Sequence, residues 1–154
     1  MSSSLNTLAT ALPNSGGSFA VHTADVSQTL VQHVAVTLTT AQILTLNATP
    51  IVLLPAPGAG MSNIIDYGLF RYISGGTAFA SGGTITIGYV SGAAVVNTIA
   101  NTVINSTSSS DTVLVTSASN ITALQNTAIQ ITNATGAFTT GNGSVTINLW
   151  YSII

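Results

Sequence analysis

The feature that most constrains this chain is a two-residue period that begins near residue 30 and runs to the last residue. Leu30 to Leu38 alternates around His33, with Val34, Val36 and Leu38 on one face and Ala35 and Thr37 on the other. At the far end, Val145, Ile147, Leu149, Tyr151 and Ile153 alternate with Thr146, Asn148, Trp150, Ser152 and Ile154. Successive strand side chains point to opposite faces, so this period describes strands with one apolar side, and such strands must stack their apolar sides in layers. The expected fold class is all-β, a two-sheet β-sandwich.

Between these ends the spacing marks further strands. Thr39 or Thr40 is placed to cap one short helix over Ala41 to Leu46, the one interior segment with a clean helix signature. Pro50 opens an apolar strand, Ile51 to Leu54, and Pro55, Pro57, Gly58 and Gly60 form a stiff turn into a long strand, Met61 to Ile73. In that strand Ile65, Tyr67, Leu69 and Arg71 share one side and Ile64, Asp66, Phe70 and Tyr72 the other, unless Gly68 introduces a bulge. Large apolar groups on both sides require that it be covered on both faces, either central in the fold or central on one side and at a subunit contact on the other. Ala93 to Asn105 fits either a helix stripe, with Asn97, Asn101 and Asn105 four apart, or an irregular strand. Ser106 to Asp111 reads as a polar loop, Thr112 to Thr116 and Ala128 to Thr132 as strands, and Ile121 to Asn126 as short and ambiguous.

Two segments repeat one pattern. GTAFASGGTITI at Gly76 to Ile87 matches TGAFTTGNGSVTI at Thr135 to Ile147 with one extra residue in the second. Each has an aromatic residue that packs down, a glycine turn open to positive φ, and a strand leaving the turn. Two such hairpin-like units suit a two-sheet sandwich. Residues 1–29 differ: rich in Ser, Thr, Asn and Gly, with Pro13 and a turn-forming run after it, they read as an extended N-terminal arm. Its isolated apolar anchors are Leu5, Leu8, Leu12 and Phe19, the three leucines also fitting the spacing of one weak amphipathic helix. The domain boundary is expected near residue 30, with the sandwich over 30–154.

Charge is nearly absent. Of 154 residues, only Arg71, Asp25, Asp66 and Asp111 are ionised at pH 7, giving 3% charged residues and a net charge of −2. An ordinary soluble surface carries about 25–35% charged residues. A chain with so little repulsion between copies is expected to function assembled, with much of its surface covered. One arginine provides no footprint for nucleic acid, whose phosphates require several cations. No apolar run approaches the ~18 residues of a membrane helix, and the N-terminus lacks the basic and apolar regions of a signal peptide, so no membrane partner is expected and synthesis is expected in the cytoplasm.

The groups able to carry chemistry are few. His22, Asp25 and His33 fit no compact metal-ligand spacing, and without cysteine there is no thiolate nucleophile or sulfur-ligated metal. Asp66 and Asp111 are the one carboxylate pair in the body; Asp66 reads as a strand residue able to pair with Arg71, and Asp111 as a turn residue accepting backbone hydrogen bonds. No G-x-S-x-G elbow and no phosphate-binding loop occur. The chain is expected to be no enzyme and to use no cofactor or metal. The residues expected to make assembly contacts are Ile64, Phe70, Arg71, Tyr72, Trp150 and Tyr151 in the body and Leu5, Leu8, Leu12 and Phe19 in the arm. Tyr72, Tyr89 and Trp150 are also candidates for a carbohydrate groove.

The runs TTAQILTLNATPIVLLPAPGA at Thr39 to Ala59, GGTAFASGGTITIGY at Gly75 to Tyr89 and ITNATGAFTTGNGSVTINLWY at Ile131 to Tyr151 resemble small bacteriophage virion proteins that decorate, or cement, the capsid. The resemblance covers roughly residues 33–153 and carries over no residue roles. It implies a β-sandwich of jelly-roll type that forms a homotrimer on the capsid surface and bridges major capsid protein subunits. The alternative is a receptor- or carbohydrate-binding appendage of the virion, a head fibre base or tail accessory protein.

Overall fold

A computed structural model describes residues 31–90, 94–115, 122–133 and 135–154. The anchors Leu5, Leu8, Leu12 and Phe19, together with His22 and Asp25, lie outside the described residues. Among the described residues, eight strands and one short α-helix follow in order: β1 (Gln32–Leu38), α1 (Thr40–Thr45), β2 (Ile51–Leu54), β3 (Asn63–Ser74), β4 (Ile85–Tyr89), β5 (Val95–Ile99), β6 (Ser110–Leu114), β7 (Ile129–Asn133) and β8 (Gly143–Ile153). Thr39 starts α1 through a capping box: its side chain accepts from the Gln42 amide, and the Gln42 side chain accepts from the Thr39 amide. The segment with two open readings resolves as strand β5 and then one 3₁₀ turn, Asn101–Val103. Its β-branched residues pack better on a pleated surface than in a helix.

The strands form two four-stranded sheets, ordered β1-β8-β3-β6 and β2-β7-β4-β5, with antiparallel pairing throughout. Outermost strands of the sequence pair first: β1 with β8, β2 with β7, β3 with β6, and β4 with β5. A ribbon paired in this nested way, with alternate pairs assigned to opposite layers, is a jelly roll. The inner faces meet over a core that includes Leu38, Phe70, Tyr72, Ile147 and Leu149 from the first sheet and Ile85, Ile87, Tyr89, Ile129 and Ile131 from the second. Tyr72 donates to the Ser106 carbonyl at 3.1 Å and Tyr89 to the Asn63 carbonyl, so neither buried hydroxyl is left unpaired.

β3 lies inside its sheet, between β8 and β6, as its two apolar faces require. Its bulge falls at Asp66 rather than Gly68: Ile65 pairs with Tyr151 and Tyr67 with Trp150, leaving Asp66 unmatched. The extra residue reverses the alternation. Ile65, Gly68, Phe70 and Tyr72 point inward, while Tyr67, Leu69, Arg71 and Ile73 point out. The expected grouping of Ile65 with Tyr67, Leu69 and Arg71 is corrected accordingly. So is the expected role of Phe70 and Tyr72: both are fully buried within one chain and have no surface to give a partner.

The two repeated units meet at one end of the sandwich. Phe79 and Phe138, the aromatic residue of each, are buried edge to face at 6.0 Å. The glycine of each unit lies under the phenylalanine of the other: a Cβ on Gly82 would strike the Phe138 ring, and one on Gly141 would come within 2.6 Å of Phe79 Cα. Both glycines have positive φ, +70° and +118°. Asparagine amides tie the neighbouring loops to this pair, Asn101 donating to the Gly82 carbonyl at 3.0 Å and Asn105 to that of Ser81 at 3.2 Å. These are two of the three asparagines spaced by four. The third, Asn97, bridges the sheets by donating to the Val115 carbonyl at 2.7 Å.

Candidate interaction surface

The chemistry-bearing residues converge on the outer face of the β1-β8-β3-β6 sheet. Strand pairing fixes three rows across it. One aligns Tyr67, Trp150 and His33; the next aligns Val113, Leu69, Asn148 and Ala35; the third aligns Asp111, Arg71, Thr146 and Thr37. Every charged side chain among the described residues, Asp66, Arg71 and Asp111, lies on this face.

The first row is aromatic. The Trp150 ring centroid is 4.6 Å from that of His33 and 5.1 Å from that of Tyr67, with tilted planes. His33 Nε2 lies 3.2 Å from Asn148 Oδ1; since an amide oxygen only accepts, Nε2 is the donor. In the third row Arg71 grips Asp111 with both ends of its fork, Nε to Oδ1 at 2.8 Å and Nη2 to Oδ2 at 3.0 Å. These hydrogen bonds, then the attraction of the guanidinium, hold the Asp111 carboxyl below the usual carboxylate range and raise Arg71 further. Thr146 and Thr37 close the row through their hydroxyls, 3.0 Å apart. Asp66, displaced outward by its bulge, accepts from Ser152 Oγ at 2.6 Å.

Two expectations change here. Arg71 pairs with Asp111, not Asp66, because the β3–β6 register sets Arg71 opposite Asp111. Asp111 is thus a strand residue bound to a side chain, rather than a turn residue accepting from backbone. Beside the pair, Arg71, Tyr72, Ile73, Ser109, Ser110 and Asp111 line a shallow groove of about 360 Å³.

Apolar side chains lie between and beyond these rows, with Ser144 and Ser152 of β8 among them. Tyr67, Ile73, Val113 and Val115 are 42%, 47%, 53% and 61% exposed, and Leu69, Ile64 and Trp150 are half-buried among them. Tyr151 points the other way, packing on the core edge and donating to Gln32 Oε1 at 3.0 Å. Of the expected body contacts, the fold therefore gathers Ile64, Arg71 and Trp150 on one surface and turns Phe70, Tyr72 and Tyr151 from it. Tyr72 and Tyr89 are likewise core residues, so neither offers an exposed ring to a carbohydrate. The sequence set Tyr67 and Leu69 on the side of Arg71 without marking them as contacts, and Val113 was missed as a face residue; its alternation with Leu114 was the available signal.

No group of three or more His, Cys, Asp or Glu side chains gathers among the described residues, and no helix among them is long and apolar enough to cross a membrane. Among the described residues, the one carboxylate–serine contact, Asp66 with Ser152, has no histidine in it to shuttle a proton. Comparison with protein-family models, curated proteins and solved structures gives no match to this chain.

Proposed function

We propose that this chain is a structural protein, without catalytic activity, that works by assembly: a virion protein that decorates a capsid and cements it by bridging major capsid protein subunits. The observation that carries the reading is the outer face of the β1-β8-β3-β6 sheet, apolar and aromatic on a sandwich whose core is already complete beneath it. Exposed apolar area of this kind marks an interaction site. The capsid as the assembly, and the homotrimer as the form, follow from the resemblance of residues 33–153 to capsid decoration proteins. Interface area is the mechanism. A contact of about 1,500 Å² with good shape fit stabilises the shell by binding only its assembled state.

A second reading, a receptor- or carbohydrate-binding appendage, draws on the row of Tyr67, Trp150 and His33, since exposed rings stack on the C–H faces of sugars. Imaging particles from cells that produce the chain separates the two. Cementing predicts high copy number at regular lattice junctions. Placement at one vertex or tail tip selects the appendage, and absence from every particle overturns both.

A further inference from the structure

We infer that the outer face of the β1-β8-β3-β6 sheet seats a second copy of this chain. The inference rests on the assembly half of the reading above and not on the capsid half.

The area is sufficient. At about 3.4 Å per residue and 4.8 Å between strands, the four strands cover roughly 600 Å² in projection, and side-chain relief raises this toward the ~800 Å² per partner of a standard stable interface. The face carries the combination that dominates binding energy, a tryptophan and a tyrosine in ring contact, Trp150 and Tyr67, one row away from Leu69 and Val113.

Charge selects the occupant. The two ions of the third row, Arg71 and Asp111, satisfy each other, and Asp66 is bound by Ser152. The face is left with one net negative charge, at Asp66, which a hydroxyl solvates but does not neutralise. A protein of ordinary composition is about 25% charged residues and would bury several against valine and leucine with no counter-charge. A copy of this chain brings far less of that penalty, Asp66 being the one described charged side chain without a counter-ion. Outside this face its described surface has no charged side chain, and within the face the arginine is already paired. A sparsely charged surface against another sparsely charged surface is the complementarity available here.

The test uses the full chain at concentrations from nanomolar to tens of micromolar. Light scattering gives the state, and the emission of Trp150, the chain's one tryptophan, reports cover over this face. An oligomer at micromolar concentration is expected, with Trp150 emission moving to the red as it dissociates. Val113→Asp and Val115→Asp each place a charge on an exposed site and are expected to weaken assembly at least 30-fold while far-UV circular dichroism and melting stay as in the parent. Thr98→Asp, the same charge on the outer face of the other sheet, is expected to leave assembly intact. Three copies or two both support the inference, and two would remove the homotrimer. A monomer at all concentrations overturns it. So does an oligomer that ignores both valine variants, falls equally with Thr98→Asp, or dissociates without a change in Trp150 emission. Assembly with no capsid binding retains this inference and removes the cement reading.

Discussion

The two sheets bury equally apolar inner faces yet differ on the outside. The outer face of β1-β8-β3-β6 has the aromatic row, exposed valine and every charged side chain described. That of β2-β7-β4-β5 is neutral: Thr98, Thr86 and Thr132 align in one row, and Val95, Gly88, Gln130 and Val52 in the next. Folding needs only the inner faces, so any outer surface that remains water-compatible would serve it. Both outer faces expose valine, Val113 on the first sheet and Val52 and Val95 on the second. The first adds the rings of Tyr67 and Trp150 and the side chains of Leu69 and Ile73, and among the described residues that addition separates a surface fit for a partner from one fit for solvent.

The contrast breaks first, and most visibly, on adjacent residues of β3. Phe70 is fully buried, and Phe70→Ala should cost about 3–5 kcal/mol in chemical denaturation under dissociating conditions. Leu69 is one residue away on the outer face, and Leu69→Ala should cost about 1 kcal/mol or less in the same measurement. Similar losses would mean that the outer face is part of the folding core.

A smaller effect lies at Tyr89, on the inner face of the neutral sheet. Tyr89→Phe removes its hydrogen bond to the Asn63 carbonyl and should cost about 1 kcal/mol. Burial pushes the Tyr89 phenol up from its ordinary value. The folded state thus favours the protonated form. Stability from this source is complete below about pH 10, the unfolded value, and is lost as pH rises through the higher folded value. Urea midpoints at rising alkaline pH should fall in the parent and fall less in Tyr89→Phe.

The smallest effect is expected at Arg71 and Asp111, exposed on the opposite face. Asp111 is depressed in the fold, so its contribution is present above the unfolded carboxylate value and lost as pH falls through the folded one. Solvent and salt screen the pair. Asp111→Asn should lower the melting temperature only slightly at pH 7 and flatten the acid limb, with the difference fading in 1 M NaCl. A large loss would mean that the pair organises the whole outer face.

Period and turn chemistry made much of the fold legible. The alternation of β8, the capped helix at Thr39 and the repeated phenylalanine–glycine units are local patterns, and local patterns are what a sequence displays. The bulge at Asp66 is not local: it is set by two residues of β3 opposing one step of β8, so the face of each residue after it changed with a pairing that β3 alone does not encode. Arg71 with Asp111, 40 residues apart, and the rings of Tyr67, Trp150 and His33, from three strands, depend in the same way on strand order. The candidate surface was legible at Arg71, Ile64 and Trp150. The rest required knowing which strands are neighbours.

The place of β8 between β1 and β3 has a consequence for the timing of synthesis. Among the described strands β1 is made first and β8 last, yet they are direct partners. At about 5–20 residues per second, β1 waits roughly 5–20 s for its neighbour. Until then β1 has no strand beside it, β3 has only β6, and the three-strand row of rings does not exist. The β4–β5 hairpin can close early, but the surface proposed to join copies appears only when the last strand inserts. A nascent chain is thereby barred from entering an assembly half-built, and growth by this face counts finished domains alone.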